Sequence, residues 1–376
     1  MEKLRSIKEW YEYALKDPDI HACTTMDLST VNIDLLFSGN NSKKFIRNYF
    51  EYLYSDPSSV NPAGKFVDNI ERITDFRAQH TVASFLLGII VKEALTLDVR
   101  NWIRVSNSHS SDPSFGFFWS LICLTHDIAY YWERNSKKLL DNYKTVDAFC
   151  SVQNIQFNLL KNSSKNSLIK NYYSYCIEYR HKIDHGITGA ILIYDALMSF
   201  YNNGKQNSAS QICGIRLRKS FPSFCLKIAD TIALHNMWRA DDRTRDVYQN
   251  CHLDELIPDD NATHIINYKD DALLFLLGLI DSIDPIKSFC NAEGSGTRLS
   301  VDVVLNGYRL YFTNRTGTKR INIQFQHNAF KDKYLKTIMG LSQWLDVDTA
   351  TSLDSASIIL NPGIKVSVEV EALQAV

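Results

Sequence analysis

The stretch that decides the fold is FFWSLICLTHDI, residues 117–128, in which an apolar run ends in the pair His126-Asp127. The apolar run predicts a buried segment, so we expect the carboxylate of Asp127 to lie inside the protein. A buried carboxylate is costly unless it is paired, hydrogen-bonded or bound to a metal ion. Imidazole nitrogens and carboxylate oxygens are both ligands of divalent transition metals. By itself the dipeptide favours a structural acid, whose hydrogen bonds are satisfied by other groups of the protein, over a metal ligand. The rest of the chain strengthens the metal-ligand interpretation.

The composition is that of a globular protein and excludes several classes. The chain has 376 residues, of which 45% are hydrophobic and 22% are charged, enough for one large domain or two ordinary ones. A formal net charge of -1 gives no overall attraction to nucleic acid or to a membrane. The eight cysteines lie too far apart to form a zinc knuckle or a redox pair, which predicts reduced thiols in a cytoplasmic protein. The N-terminal residues are unlike a signal peptide, and the apolar runs are shorter than the roughly 20 residues that span a bilayer.

Three composition zones follow one another along the chain. Residues 1–65 predict a helical N-terminal extension, and residues 66–291 carry one helical pattern after another. These patterns cover residues 70–89, 117–128, 172–201, 223–238 and 270–282. Residues 292–376 change to alternating apolar and polar positions and predict a small α+β domain. The predicted fold class is therefore mainly α, a helical bundle followed by a small α+β module.

Strand signals are confined to the third zone. Residues 299–305, 308–313 and 320–326 predict strands, with a hairpin at Asn306-Gly307 between the first two. A helix over residues 331–345 and a last strand over residues 364–370 complete the predicted module.

A set of histidines and aspartates distinguishes the helical patterns of the middle zone. The set consists of His80, His126, Asp127, His185, His235 and Asp281, in that order along the chain. A mixed set of imidazoles and carboxylates suits Mn, Fe, Co, Ni or Zn rather than calcium.

In this order of residues the chain resembles the HD-domain metal-dependent phosphohydrolase superfamily, over roughly residues 70–290. The resemblance implies an HD-domain-like helical bundle and assigns His80, His126, Asp127 and Asp281 to a first metal ion. In the longer form of the family, Asp127 would bridge to a second divalent ion held by His185 and His235. A hydroxide between the two ions would then attack the phosphorus of a phosphate ester. The implied activity is that of a phosphohydrolase or phosphodiesterase acting on a nucleotide or another small phosphate ester.

One departure from the family pattern concerns the substrate. Many members continue His-Asp-x-Gly-Lys, whereas this chain continues Asp127-Ile128-Ala129-Tyr130. The lysine that would contact phosphate is therefore absent, and the substrates of the best-studied branches do not transfer.

Further candidates surround His185 and His235. Asp184 is a candidate to orient a ligand or donate a proton, with a helix-surface charge as the alternative. Lys182 is a candidate to bind phosphate beside Asp127 and Asp184, and a charged helical face is the alternative. Arg180 and His181 are candidates to bind phosphate in the same way, and Arg239 is placed similarly beside His235, with a charged helical face as the alternative. Asn236 could hydrogen-bond beside the metal or satisfy a backbone group. The serine-rich segment 106–112 is a candidate lid and the basic run 216–219 a candidate phosphate contact, with a solvated loop and a solvated surface run as the alternatives.

Two other functions remain open at this point. One is an HD-type nuclease that acts on single-stranded nucleic acid, against which the net charge argues mildly. The other is a non-catalytic, metal-stabilised nucleotide sensor or interaction protein, in which the C-terminal module binds a partner or forms a homodimer.

Overall fold

The computed structural model describes residues 4–51, 68–97, 114–204, 211–212, 215–216, 219–258, 265–290, 298–315, 318–326, 334–351 and 355–360. The chain is mainly helical with a small antiparallel sheet towards its C-terminus, which confirms the predicted fold class at this level. It forms two compact units. The first comprises Met1–Ala14, Leu86–Asp98 and Ile265–Val376, and the second comprises Leu15–Phe85 and Val99–His264. The predicted domain limits at residues 65 and 291 stay predictions.

The second unit is helical. Its α-helices are Pro18–His21, Ile33–Leu36, Asn41–Tyr49, the first part of Asp75–Ala94, Phe115–Cys123, Tyr130–Arg134, Ser136–Leu139, Val146–Val152, Asn166–Tyr179, His185–Gly204, Phe221–Leu234 and Arg245–Asn250. A two-residue hairpin pairs Gln211–Ile212 with Ile215–Arg216.

The core of this unit is built around the Phe115–Cys123 helix, all of whose nine residues are buried. This helix packs against Phe221–Leu234, which in turn lies along His185–Gly204. Aromatic side chains join the first pair of helices, with the rings of Phe118 and Phe224 at 5.6 Å. A helix that is apolar on every side can be stable only in such an interior position.

Two helices break where the sequence predicted continuity. The helix expected to run through His126-Asp127 ends at Cys123, and residues 124–129 form turns. The predicted helix over residues 172–201 is divided into Asn166–Tyr179 and His185–Gly204. His181 has a φ of 51° between these two helices, a left-handed conformation that ends a helix. Both breaks lie beside predicted ligands, so periodicity identified the segments but not the turns that present the side chains.

In its described residues, the first unit combines helices with a sheet. The helices are Ile7–Ala14, Ala272–Ile283, Pro285–Phe289, Val301–Gly307 and Leu335–Gly340, together with the last part of Asp75–Ala94. The sheet is antiparallel throughout, and its strands lie in the order Arg5–Ser6, Arg309–Arg315, Thr318–Gln324, Ser355–Leu360 and Val347–Thr351. Opposed pairs such as Leu310 with Ile323 and Phe312 with Ile321 are buried, as alternation predicts.

The C-terminal predictions hold in part. The strands predicted at 308–313 and 320–326 are confirmed as Arg309–Arg315 and Thr318–Gln324. The strand predicted at 299–305 and the hairpin at Asn306-Gly307 are wrong, because Val301–Gly307 is a helix. The side chain of Ser300 caps that helix by accepting a hydrogen bond from the Val303 amide at 3.4 Å.

Other parts of the C-terminal prediction differ in extent. The helix predicted at 331–345 is shorter, Leu335–Gly340 followed by the 3-10 turn Leu341–Gln343. The two strands between residues 347 and 360 were not predicted, and the predicted strand 364–370 lies outside the described residues.

Two further sequence predictions concern the whole chain. The seven cysteines within the described part are free thiols. Over the same residues, no helix combines the length and the apolar character needed to cross a bilayer.

Candidate metal centre

The second unit brings five of the six predicted metal ligands together. His80 lies on the Asp75–Ala94 helix, and His126 and Asp127 lie in the turn after Phe115–Cys123. His185 begins its helix, and His235 is the residue that follows Phe221–Leu234. All five side chains are buried, with at most 7% of any residue exposed. Four separate segments of the chain therefore converge on one buried point.

The five residues form two groups that could each hold a metal ion. One group is His80, His126 and Asp127, and the other is Asp127, His185 and His235. In each group one ligand atom from every residue lies within 4.8 Å of the others. Neighbouring imidazole rings follow one another at 5.3 Å between centroids, from His80 to His126, from His126 to His235 and from His235 to His185. Asp127 is the member that the two groups share.

Hydrogen bonds to backbone carbonyl oxygens fix the orientation of two of these imidazoles. The Nδ1 atom of His126 lies 2.7 Å from the carbonyl oxygen of Cys123, and that of His235 lies 2.6 Å from the carbonyl oxygen of Ile232. A carbonyl oxygen only accepts, so Nδ1 carries the proton in both rings. The neutral form of each ring then has its lone pair on Nε2, which is the state that a metal ligand requires.

A carboxylate performs the same task for His185. Glu133 Oε2 accepts a hydrogen bond from His185 Nδ1 at 2.5 Å, while His185 Nε2 lies 3.1 Å from Asp127 Oδ1. A carboxylate bonded to the far nitrogen of a ligating imidazole raises the basicity of the ligand and holds its ring in place. Glu133 also lies 3.4 Å from the ammonium group of Lys182.

Asp127 is surrounded by cations and potential cations. Arg77 Nη1 donates to Asp127 Oδ2 at 3.0 Å, and the guanidinium carbon of Arg77 lies 3.5 Å from the ring centroid of Tyr130. Burial alone would raise the pKa of Asp127, but Arg77, His126 and His185 together hold that pKa well below its usual range. Asp127 is therefore ionised at neutral pH despite its burial, as a metal ligand must be.

The pKa values of His185 and Glu133 move apart. Burial favours a neutral imidazole, yet Glu133 and Asp127 outweigh it and raise the pKa of His185 to about 10. Burial opposes ionisation of Glu133 too, and His185 and Lys182 still lower its pKa to about 2. Without a metal ion, His185 is thus protonated at neutral pH and donates to both carboxylates. A metal ion bound at Nε2 takes the place of that proton.

Asp184 has a structural position one residue before His185. Its Oδ1 atom accepts from the Ile187 amide at 2.9 Å, and its Oδ2 atom accepts from Asn236 Nδ2 at 2.9 Å. Burial raises its pKa. Asp184 thereby caps the helix that His185 begins and links it to the residue after His235. The predicted surface charge is wrong for Asp184, which is 2% exposed, whereas its predicted catalytic role stays a prediction.

Asp281, the sixth predicted ligand, belongs to the first unit. It lies on the Ala272–Ile283 helix, where both carboxylate oxygens accept from Lys287 Nζ, at 2.7 and 2.6 Å. It is a member of neither of the two ligand groups described above. The role of Asp281 as a metal ligand stays a prediction.

The predicted phosphate-binding residues are placed as follows. Lys182 is half exposed and pairs with Glu133, and Arg180 Nη1 donates to the hydroxyl of Tyr172 at 3.4 Å. His181 is exposed. The segment 106–112 lies outside the described residues, as do residues 217 and 218 of the basic run. Phosphate binding by these residues stays a prediction.

Among the residues that contact the ligands, sequence reasoning missed the charged Arg77 and Glu133. Arg77 lies one turn before His80 on the same helix, a spacing that places both side chains on one face. That spacing was available as a signal. Glu133 gave none, because its position relative to His185 depends on how distant segments pack.

Compared with known proteins, the chain matches no family model, no curated protein sequence and no solved structure. Its function must therefore be argued from the centre itself.

Proposed function

We propose that this protein is a metal-dependent hydrolase of phosphate esters, built on an HD-domain-like helical bundle. The observation that supports it is the convergence of His80, His126, His185 and His235 on Asp127, in two ligand groups that share this carboxylate. The order of these residues along the chain is the order on which the HD-domain resemblance rests. The proposed substrates are nucleotides or other small phosphate esters.

The residues of the chain would perform three tasks in this reaction. The imidazoles and Asp127 would hold up to two divalent transition-metal ions, which when bound polarise phosphate oxygens and lower the pKa of a bound water. The Cys123 and Ile232 carbonyls and Glu133 would keep the ligand nitrogens in place. Asp184, through its cap, would fix the start of the helix that carries His185.

Preorganisation supports a functional centre over an accidental cluster. Three of the four imidazoles have their Nδ1 atoms held by an acceptor at 2.5 to 2.7 Å. Holding polar groups in place before the reaction avoids the cost of reorganising them during it.

The test measures metal content and hydrolysis on the same preparation of the 376-residue chain. Metal would be measured by plasma mass spectrometry, and hydrolysis of bis-p-nitrophenyl phosphate would be followed after chelation and after readdition of Mn²⁺. We expect bound metal, Mn²⁺-dependent turnover, and loss of turnover in His235→Ala. Protein that binds no metal, or whose turnover is indifferent to chelation, would contradict the proposal. Mononucleotides and single-stranded oligonucleotides as substrates would separate a phosphohydrolase from a nuclease.

One observation favours a second candidate, a metal-stabilised sensor or interaction protein without turnover. The ligand side chains are almost completely buried, and Asp127 already has partners on both oxygens. Such enclosure is typical of structural metal sites, which keep no open coordination position. Tight metal binding, a large loss of thermal stability on chelation and no hydrolysis of any phosphate ester would favour this candidate.

A further inference from the structure

The two ligand groups are unequal, because a permanent cation lies against one side of the carboxylate that they share. Arg77 Nη1 donates to Asp127 Oδ2 at 3.0 Å, and His80 Nε2 approaches the same oxygen at 3.7 Å. The other oxygen, Oδ1, faces His185 Nε2 at 3.1 Å. An ion bound to His80 and to Asp127 Oδ2 would therefore lie beside a guanidinium group, whereas Oδ1 faces two imidazoles, since His126 Nε2 also lies 3.9 Å from it.

Arg77 is held where it is. Its guanidinium stacks over the ring of Tyr130, and the residue is 9% exposed. Its backbone is one turn from His80 on the same helix, so moving the guanidinium away requires a change of rotamer in a packed interior. A guanidinium also keeps its charge at any pH that a protein tolerates. A divalent ion beside His80 therefore cannot remove the positive charge of Arg77 by displacing a proton from it.

We propose that the centre holds one divalent ion tightly, on Asp127, His185 and His235, and that Arg77 occupies the place of a second ion beside Asp127 Oδ2. This inference rests on the proposed metal-dependent function and specifies its centre. Two cations close together repel each other strongly where little water screens them. Arg77 neutralises Asp127 on one side, and the ion does so on the other. Arg77 is accordingly a positioning residue for the carboxylate ligand.

The experiment titrates the 376-residue chain with Mn²⁺ after a chelator has removed bound metal. Isothermal calorimetry gives the number of ions and their affinity, and electron paramagnetic resonance distinguishes isolated from spin-coupled Mn²⁺ pairs. We expect wild-type protein to bind one ion per chain with an uncoupled spectrum. His235→Ala should weaken this ion at least 100-fold, and His80→Ala should change its affinity less than 3-fold.

The charge of Arg77 is tested separately. Arg77→Gln should bind two ions and give a spin-coupled spectrum, while Arg77→Lys, which keeps a cation, should still bind one. The matched control is Lys43→Gln. It removes an ammonium group that lies 3.1 Å from Asp75, a residue of the helix that carries Arg77, and it should leave the number of bound ions at one. If circular dichroism shows that Arg77→Gln does not fold, the comparison of His80→Ala with His235→Ala decides the question with Arg77 intact.

Each other result overturns the inference. Two ions of similar affinity in the wild-type protein, or a single ion that His80→Ala removes and His235→Ala leaves, would show that Arg77 does not select the site while leaving the proposed metal-dependent function standing. A wild-type protein that binds no Mn²⁺ at all would reject the metal-dependent function itself.

Discussion

The two compact units both bury polar groups, but they satisfy them in different ways. In the first unit the buried hydroxyls of Tyr308 and Tyr334 lie 2.5 Å apart, and Tyr334 donates to the Ile283 carbonyl at 2.7 Å. Asp284 is completely buried there and accepts from the amides of Ile286 and Lys287, the first turn of its own helix. These partners are neutral hydroxyls and backbone groups, and the acid caps its helix by accepting from amides two and three positions later.

The second unit instead buries charged and ligating side chains that come from distant parts of the sequence. Asp127 is contacted by Arg77, fifty residues earlier, and by His185, fifty-eight residues later. A buried acid that caps its own helix, as Asp284 does, is explained by the stability of that helix alone. A cluster of imidazoles around an ionised carboxylate is expensive to bury, so function explains it better than stability does. The comparison teaches that the partners of a buried acid, rather than its burial, identify a functional site.

Replacing the two buried acids is the strongest test of this difference. Asp127→Ala should abolish metal binding and lower Mn²⁺-dependent hydrolysis by at least about 10³-fold, because both ligand groups lose their shared carboxylate. Asp284→Ala should cost about 1 kcal/mol of stability through the lost helix cap and leave metal content unchanged. Plasma mass spectrometry and urea unfolding measure the two effects. Because Asp127→Ala also leaves Arg77 buried without this partner, circular dichroism must show that the variant folds. Retained metal in folded Asp127→Ala would remove the distinction between the two acids.

Removing the carboxylate that accepts a hydrogen bond from a metal ligand should have a smaller effect on metal affinity. Glu133→Gln keeps the shape of the side chain but removes the charge that His185 Nδ1 faces, so metal affinity should fall by about 10- to 100-fold. The control is Glu71→Gln, whose partner is the exposed Arg47 at 3.7 Å, and it should leave affinity unchanged. Calorimetric titration with Mn²⁺ provides the measurement. Equal effects from both substitutions would mean that Glu133 does not support the ligand.

The pH dependence of the metal-free protein provides the third test. The pKa of His185 is raised to about 10 in the folded state, so the stability that its proton contributes is complete below the unfolded pKa of about 6.5. That stability is lost as pH rises towards 10, by up to about 1.4 kcal/mol per pH unit. Glu133, with its pKa lowered to about 2, contributes stability that is lost only in acid and does not affect this window. Urea unfolding between pH 6.5 and 9 after chelation should show the decline. In His185→Gln the free energy of unfolding should depend less on pH. An equal dependence in both proteins would show that the proton of His185 is not its cause.

The smallest expected effect lies in the other unit. Tyr308→Phe removes a buried hydroxyl that bonds to Tyr334 and should cost about 1 kcal/mol of stability. Metal binding should not change, because the described neighbours of this hydroxyl include no metal ligand of the centre. Tyr13→Phe, at a side chain that is 38% exposed, is the control and should stay within about 0.5 kcal/mol of wild type. A change in metal affinity in Tyr308→Phe would contradict the separation drawn between the two kinds of buried polar group.

Periodicity predicted the long helices of residues 70–290 and the strands Arg309–Arg315 and Thr318–Gln324, because apolar spacing depends only on which face a segment buries. It failed where short-range capping competes with it. Residues 301–307 alternate like a strand but form a helix that Ser300 caps. The segment 172–201 has a continuous helical pattern, yet it breaks at His181 and restarts after Asp184, whose side chain satisfies the new N-terminus. Such breaks depend on a few hydrogen bonds that a hydrophobic pattern does not record.

The sequence alone determined the chemical kinds of the ligands and the order in which they occur, since imidazole and carboxylate preferences for metals belong to the residues themselves. Five of the six predicted ligands are found together in the structure. Only the tertiary structure decided which nitrogen of His126, His185 and His235 faces the centre, that Glu133 hydrogen-bonds to His185, and that Arg77 lies against Asp127. These properties depend on distances between segments that are far apart in the chain, and those distances exist only once the helices have packed.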